Sequence, residues 1–187
     1  MRLIWILLLL AFPLSAQATF LDCMFFDGVD GELATVPAAW RDNLQLHNCA
    51  RKTVIPRASP AIPLMRWASD LQTTAQSYSN QCNYQHSGAA GLGESIAAYA
   101  PFNANASTLA AQDWASEQPY YTYATHACAA GHQCGHYTQI VWRSSVELGC
   151  GVTNCSVNSP FGATFPNWTF VVCNYRPPGN FSGQFPY

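Results

Sequence analysis

Cysteine and histidine are the residue types in this sequence with the widest chemical range, and the chain has eight cysteines and five histidines. Thiolates and imidazoles bind transition metals, and both can act in nucleophilic or acid–base catalysis. The C-x₄-C spacing of Cys150 and Cys155 is compatible with a metal site, whereas an even number of cysteines in an oxidising compartment indicates disulfides. The compartment therefore decides between the two interpretations.

The N-terminus indicates an oxidising compartment. Arg2 is followed by the apolar run Leu3–Phe12 and then by Ala16-Gln17-Ala18, which is typical of a secretory signal peptide and its cleavage site. An apolar run this short cannot cross a bilayer of about 30 Å. We therefore predict a signal peptide over residues 1–18 and a secreted, extracellular protein, periplasmic if the source is Gram-negative. The eight cysteines would form four disulfides, among 105 pairings that spacing alone leaves open.

Composition excludes several classes of function. Removing residues 1–18 from the 187 leaves 169, enough for one domain, with seven Lys and Arg against ten Asp and Glu. A net charge near −3 argues against nucleic-acid binding, and no polybasic stretch could hold an anionic membrane. If all cysteines pair, no thiol nucleophile remains, and the sequence has no G-x-S-x-G segment for a serine triad. We expect a soluble monomer with no transmembrane segment.

Three segments have a helical pattern: Pro37–Lys52, Ala68–Gln81 and Ser107–Glu117. Pro37 is well placed as a first helical residue, and Ser107 as an N-cap. In the first segment, the spacing puts His47 and Arg51 on the apolar face. We expect His47 to be a hydrogen-bonded core residue, and Arg51 to pair with a carboxylate or a carbonyl.

The pattern becomes strand-like after Trp142. Leu148–Val152 and Trp168–Asn174 are the best strand candidates, the second of them rich in β-branched and aromatic residues, and a turn-rich loop over residues 154–167 joins them. Two strands connected in this way predict an antiparallel hairpin, and the helices on either side predict a mixed α/β domain.

Four segments in the same order resemble the motifs of the CAP superfamily, which contains cysteine-rich secretory, antigen-five and pathogenesis-related proteins. They are His47-Asn48-Cys49-Ala50-Arg51, Gly93-Glu94-Ser95-Ile96, Gly135–Trp142 and Phe170–Asn180. The resemblance covers about Trp40 to Tyr187, and within the superfamily the plant pathogenesis-related type is the most similar.

The resemblance implies an α+β fold, a three-layer α-β-α sandwich with a small antiparallel sheet. It places the CAP domain at residues 37–187, after an N-terminal extension at 19–36. It also implies the disulfides Cys82–Cys155, Cys128–Cys134 and Cys150–Cys173, which leaves Cys23–Cys49 as an addition.

In many relatives two histidines and two glutamates share a cavity, and the matching positions here are His86, Glu94, Glu117 and His136. Two imidazoles and two carboxylates suit a divalent ion such as Zn²⁺. Two alternatives remain open: a buried Glu–His network that only stabilises the fold, and a metal-dependent hydrolase or protease with Glu94 and Glu117 as catalytic groups. His126 could be a peripheral ligand, whereas His132 is expected to be solvated.

Two departures from the family pattern affect this site. Ser95 stands where the family usually has asparagine, so an amide donor is lost. The connector between His86 and Glu94 (residues 87–93) is glycine-rich and longer than in the plant members, which makes the placement of Glu94 relative to His86 less certain.

Two further surfaces could bind partners. Tyr120, Tyr121 and Tyr123 follow Glu117, and the resemblance implies a loop here that binds a sterol or another lipid, although tyrosines that cap the core are the alternative. The tail Pro177–Tyr187 either packs along the sheet or is released from a precursor as a signalling peptide. The leading hypothesis is a secreted binding protein in defence or host interaction, with a lipid or an extracellular protein as partner.

Overall fold

The computed structural model describes residues 33–187. The predicted signal peptide, all but the end of the extension at 19–36, and Cys23 of the predicted Cys23–Cys49 pair lie outside the described residues. The helices are α1 (Arg41–Lys52), α2 (Ser69–Ser79), α3 (Ala106–Ala115) and α4 (Gly135–Ile140). The strands are β1 (Arg66–Trp67), β2 (Gly93–Tyr99), β3 (Tyr121–Thr122), β4 (Ala127–Cys128), β5 (Glu147–Cys155) and β6 (Trp168–Arg176).

The main sheet has the order β1-β5-β6-β2. β6 pairs antiparallel with β5 on one side and with β2 on the other. The short β1 adds a parallel edge beside β5. The predicted hairpin is thus present, and β2, which the pattern of the sequence did not identify as a strand, completes the sheet next to it.

Helices cover both faces of this sheet. Successive side chains of β6 point to opposite faces, and because Trp168 to Tyr175 are all buried, both faces need a covering layer. Val171, Cys173 and Tyr175 pack into the larger apolar cluster, together with Leu44 of α1 and Trp114 of α3. Trp168, Phe170 and Val172 of β6 pack on the other face into a cluster with Ala75 of α2. The α+β fold and its three-layer α-β-α arrangement, with α1, α3 and α4 on one side and α2 on the other, are confirmed.

Two glycines in β5 let α2 approach the sheet closely. A Cβ atom built on Gly149 would lie 2.3 Å from the backbone nitrogen of Gln72, and one on Gly151 would lie 2.3 Å from the Cα of Gln76. Real Cβ atoms do not pack at such distances, so only glycine permits this separation of helix and strand.

Three disulfides between described residues connect the layers and loops, and they are the three pairs that the resemblance implied. Cys82–Cys155 ties the end of the α2 segment to β5, and Cys150–Cys173 links β5 to β6. Cys128–Cys134 closes the short loop before α4. No cysteine among residues 33–187 is free.

The helix boundaries agree with the predicted segments, with local differences. A 3₁₀ turn at Ala38–Trp40 precedes α1, so the helix that Pro37 introduces begins in two stages. The proposed N-cap Ser107 is wrong, because it lies inside α3, which begins at Ala106 after Asn105. Ser107 instead is buried, and its carbonyl accepts a hydrogen bond from the Asn43 amide at 2.7 Å. No helix within residues 33–187 is long and apolar enough to span a membrane.

His47 connects α1 to the sheet as a neutral core residue. Its Nδ1 atom lies 2.8 Å from the Asn43 carbonyl, to which it donates, and its Nε2 accepts from the Tyr175 hydroxyl at 2.9 Å. Burial is the main reason that the pKa of His47 falls to about 4, and the nearby charge of Arg51 acts in the same direction. This arrangement agrees with the expectation of a hydrogen-bonded core histidine.

The depressed pKa of His47 predicts acid sensitivity. Between pH 6.5 and 4 the unfolded chain binds a proton at this residue that the folded protein does not, so acid favours unfolding. The free energy of unfolding should fall by about 3 kcal/mol across this range from His47 alone. Urea denaturation of wild type and His47→Gln at several pH values measures the effect, with His132→Gln as the control on an exposed histidine. Equal pH dependence in wild type and His47→Gln would contradict the account.

Candidate functional site

A cleft of about 350 Å³ lies where the start of β2, the start of α4 and the C-terminal tail meet. Its walls include His86, Glu94, Gln133, His136 and Asn180. Three of the four residues that the resemblance assigned to a metal site therefore line one cavity. Glu117 is not on its wall and reaches it only through His136.

The first Glu–His pair is at the edge of the sheet. The Nδ1 atom of His86 lies 2.8 Å from Oε1 of Glu94, and the backbone N–H of Ser87 donates to the same oxygen at 2.8 Å. Gly88 and Gly91 adopt left-handed backbone conformations, with φ of 67° and 75°. These glycines turn the long connector back on itself, so its extra length does not separate Glu94 from His86.

The second Glu–His pair joins α4 to the segment after α3. The Nδ1 atom of His136 lies 2.6 Å from Oε1 of Glu117, while the other carboxylate oxygen accepts the backbone N–H of Tyr137 at 3.0 Å. The His136 ring also stacks on Trp114, with 5.7 Å between centroids. Glu117 thus caps the first turn of α4 and orients the imidazole that begins it.

The four groups form two pairs and not one compact cluster. Within residues 33–187, no group of three or more His, Cys, Asp or Glu side chains is arranged to hold a metal ion. In each pair a glutamate occupies Nδ1, so Nε2 is the ring nitrogen left to bind a ligand. A carboxylate that fixes a histidine in this way is the usual outer partner of a metal-binding imidazole.

The two carboxylate oxygens of Glu94 differ in their hydrogen bonding. Its side chain is only 8% exposed, and Oε2 is buried without a hydrogen-bond partner, while Oε1 accepts two bonds. Ser95, the departure from the family pattern, is buried on the opposite face of β2 in register with Cys173. Ser95 is therefore not among the residues that line the cleft.

Arg51 determines where α4 lies. Its guanidinium is buried and donates to four backbone carbonyls: Pro63 at 2.6 Å, Ile140 at 2.7 Å, Trp142 at 2.9 Å and Arg143 at 3.3 Å. Burial is the main cause that lowers the pKa of Arg51 to about 9, which keeps it charged at neutral pH. Arg51 was expected to pair with a carboxylate or a carbonyl, and its partners in the structure are carbonyls.

Gln139 was not identified from the sequence, although it lies inside a quoted motif. Its Oε1 accepts the Gly179 N–H at 3.0 Å, and its Nε2 donates to the Ser145 hydroxyl at 2.9 Å. A Cβ on Gly93 would lie 2.4 Å from the same Oε1. Gln139 thus links α4 to the tail and packs directly against the residue before Glu94, and its position three residues after His136 was the only available signal.

Asn180 is the second residue that sequence reasoning missed. Its side-chain amide donates to the Gly135 carbonyl at 2.8 Å, and its Oδ1 accepts the Thr138 hydroxyl at 2.8 Å. With φ of 57°, its backbone is left-handed, a conformation that asparagine tolerates better than most residues. Asn180 therefore fastens the tail to α4 and forms part of the cleft wall.

The three tyrosines of the predicted lipid loop have different environments. Tyr120 is 39% exposed and stacks on His132 with 3.6 Å between centroids. Tyr121 lies 6.0 Å from the ring of Tyr137, and its hydroxyl is 2.9 Å from Nδ1 of His126. His126 therefore sits beside Tyr121 and is not on the wall of the His/Glu cleft.

Tyr123 holds the end of the tail. Its hydroxyl donates to the backbone oxygen of Tyr187, and the two rings stack with centroids 4.5 Å apart. The Arg143 N–H donates to the Pro186 carbonyl at 2.6 Å, and the Tyr187 hydroxyl donates to the Ile55 carbonyl at 3.1 Å. The tail is packed, as one interpretation held, but against α4 and the tyrosine segment instead of along the sheet.

Comparison with known proteins identifies a family. A family model described as the cysteine-rich secretory protein family, CAP, matches residues 44–175. The chain is similar to pathogenesis-related leaf protein 4 of Solanum lycopersicum, with 42% identity over 152 residues that cover 79% of this chain and 82% of that protein. It is also similar to peptidase inhibitor 16 of Bos taurus, with 38% identity, but the match covers 77% of this chain and only 30% of that protein.

Solved structures have the same fold. Na-ASP-1 matches with a TM-score of 0.65 and 28% identity, covering 81% of this chain and 41% of that one. NaASP2, solved with Zn²⁺, matches with a TM-score of 0.62 and 27% identity, covering 80% of this chain and 84% of that one. This chain therefore corresponds to most of NaASP2 but to less than half of Na-ASP-1.

The carbonyl contacts of Arg51 predict a large effect from a substitution that keeps the charge. A lysine in Arg51→Lys has one ammonium group and cannot reach carbonyls spread over four residues, so buried acceptors lose their partners. Chemical denaturation should show a loss of about 2–4 kcal/mol in the free energy of unfolding. The exposed Arg57→Lys is the matched control and should change it by less than about 0.5 kcal/mol. A similarly small change in Arg51→Lys would contradict the role assigned to this residue.

Proposed function

This chain belongs to the cysteine-rich secretory protein (CAP) family, and on that premise we propose that it is a secreted extracellular protein that acts by binding, in defence or host interaction. Pathogenesis-related proteins are among the relatives that it covers most fully. The disulfides and the N-terminal sequence of signal-peptide type support secretion. The partner would be a small ligand or another extracellular protein.

The observation that carries this proposal is the pair of imidazoles held by glutamates at one cleft. His86 and His136 both line the cavity, and each gives its Nδ1 to a carboxylate. The proposed occupant is a divalent ion, with zinc the best match to imidazole donors. His86 and His136 would bind it through Nε2, while Glu94 and Glu117 hold the rings or move in as further ligands.

The donor set fits such an ion. The buried, unpartnered Oε2 of Glu94 is an acceptor whose desolvation a cation or its bound water would offset. NaASP2, which was solved with Zn²⁺, supports the choice of metal. A bound zinc would supply a positive centre that attracts an anionic or carbonyl oxygen of a ligand. The protein's own part is to orient the two rings and to keep each Nδ1–H hydrogen-bonded to its glutamate.

Zinc titration tests the site. Isothermal titration calorimetry should show that His86→Ala and His136→Ala each weaken zinc binding, and that the double variant removes it. Glu117→Gln should weaken it about 10- to 100-fold, because the carboxylate that orients His136 loses its charge. His132→Ala is the control and should bind like wild type. Equal affinity in the double variant and in wild type would remove the metal claim.

Sterol or lipid binding is the second candidate, and the exposed ring of Tyr120 favours it. Tyr120 lies flat against His132 at the surface, where an aromatic face can pack on a flat lipid. Tyr121 and Tyr123 would support this surface, but Tyr123 also anchors the tail. Replacing all three tyrosines would therefore disturb the tail as well as the binding surface.

A single substitution separates these effects. Tyr120→Ala should weaken binding of radiolabelled sterol by about tenfold, because it removes the exposed aromatic contact without touching the tail. Tyr84→Ala is the matched control, since Tyr84 is comparably exposed and packs against Trp168 elsewhere. Unchanged sterol binding by Tyr120→Ala would exclude this surface.

Two alternatives remain. A metal-dependent hydrolase would use the Glu117–His136 pair to activate water, and its signature would be turnover that a chelator abolishes. A precursor of a signalling peptide would have to release Pro177–Tyr187, and the contacts of this tail with α4 and Tyr123 mean that it must first detach.

A further inference from the structure

A second cavity of about 430 Å³ lies on the other side of Asn180 from the His/Glu cleft. Its walls come from the β3–β4 hairpin, from the loop and helix around Gly135, and from tail residues 180–183. We propose that this cavity binds a neutral aromatic ring that carries a hydroxyl group, a ligand of the phenol class. The site is separate from the His/Glu cleft, because it uses neither His86 nor Glu94, but it shares Tyr121 with the proposed lipid surface, whose exposed ring is Tyr120.

The apolar part of the lining is aromatic. Tyr121, Trp142 and Phe181 all face the cavity, and the rings of Trp142 and Phe181 lie 6.0 Å apart at 59°. Such tilted aromatic walls suit an inserted ring, which can meet faces and edges at once. An apolar cavity of about 150 Å³ already holds benzene, so this one has room for a substituted ring.

The polar part of the lining supplies a hydrogen-bond donor. The Tyr121 hydroxyl lies 2.9 Å from Nδ1 of His126, and we assign the hydroxyl as the donor in this hydrogen bond. The remaining proton of the neutral imidazole is then on Nε2, which can donate to an oxygen of the ligand. His132, held flat against Tyr120, offers a second imidazole in the same cavity.

The lining also excludes other ligand classes. No Asp, Glu, Lys or Arg is among the described residues that line this cavity, which favours a neutral ligand. A sugar needs several free polar groups, but the Asn180 amide and the Thr138 hydroxyl already bond to α4 and to each other. The polar groups that are left are the imidazoles of His126 and His132 and the Ser182 hydroxyl, and they suit a ring that carries a hydroxyl group.

The tail is one wall of this cavity, so the cavity exists only while the tail is docked. Asn180, Phe181 and Gly183 come from the tail, and Trp142 and Thr138 lie opposite. A ligand that binds only the docked state stabilises that state relative to the detached one, by a free energy set by the ligand concentration and its dissociation constant. Occupancy of the cavity therefore opposes release of the tail.

Binding is tested with p-cresol as the probe, followed by ¹H–¹⁵N NMR on the full chain. Shift changes should concentrate at residues 126, 138 and 181–183. Toluene, which lacks the hydroxyl, and 4-methylcyclohexanol, which lacks the aromatic ring, should each bind at least about tenfold more weakly. Equal binding of the three probes, or shift changes elsewhere on the protein, would overturn the proposal.

Two variants localise the effect. Ser182→Phe fills the cavity and should remove p-cresol binding, whereas Ser156→Phe places the same side chain on a distant exposed position and should not. His126→Phe keeps a ring but removes the donor, so p-cresol should bind it no better than toluene does. Folding is checked by the dispersion of the spectra and by zinc titration at the His/Glu cleft, which separates failure here from failure of the metal proposal. Unchanged p-cresol affinity in Ser182→Phe would overturn the assignment.

Hydrogen exchange tests the coupling to the tail. The Gly179 N–H is protected by Gln139, and its exchange requires this contact to open. With p-cresol at ten times its dissociation constant, exchange of the Gly179 amide should slow about 11-fold. In Ser182→Phe the same addition should leave the rate unchanged. Equal exchange with and without p-cresol in wild type would show that the cavity and the tail are not coupled.

Discussion

The hydrogen bonds from the buried guanidinium of Arg51 to four backbone carbonyls are the interaction on which the rest of the structure depends. This guanidinium lies at the end of α1 and donates to carbonyls of Pro63 and of the segment Ile140–Arg143. The last carbonyls of a helix carry partial negative charge and lack partners within the helix, so a cation placed there satisfies both needs. Because α4 has only six residues, fixing its end also fixes its beginning. His136 is therefore positioned by a residue that never touches the cleft.

The other half of the cleft is held mainly by the sheet. Glu94 is the second residue of the edge strand β2, which β6 keeps in register, and Gln139 of α4 packs against Gly93 just before it. Each histidine then takes its orientation from the glutamate beside it. The cleft joins a strand edge to a helix start, and Gly135 and Asn180 form the wall that it shares with the aromatic cavity. The helix α4 and the tail thus contribute to two chemically different cavities, and Asn180 of the tail lines both of them.

Local pattern was enough to predict α1, α2, α3 and the β5–β6 hairpin, because burial of one face imposes a period on each segment, but it did not predict the six-residue α4. It was not enough for β2, whose residues Gly93-Glu94-Ser95 carry no alternating apolar signal at the edge of the sheet. The family motifs predicted that His86, Glu94 and His136 share one cleft, but they did not predict that the four His and Glu residues form two separate pairs. That separation depends on contacts such as Glu117 to the Tyr137 N–H, which join residues far apart in sequence. The aromatic cavity was also beyond prediction, because it forms only where the tail returns to α4.

The central claim is that two imidazoles, each held through Nδ1 by a glutamate, present Nε2 to one cleft. Long-range ¹H–¹⁵N NMR of the histidine side chains, recorded before and after addition of zinc, measures this most directly, because it distinguishes the two nitrogens of each ring. We expect Nε2 of both His86 and His136 to shift to the metal-bound range while both Nδ1 atoms stay protonated. Coordination through Nδ1, or a response from only one of these two rings, would contradict it.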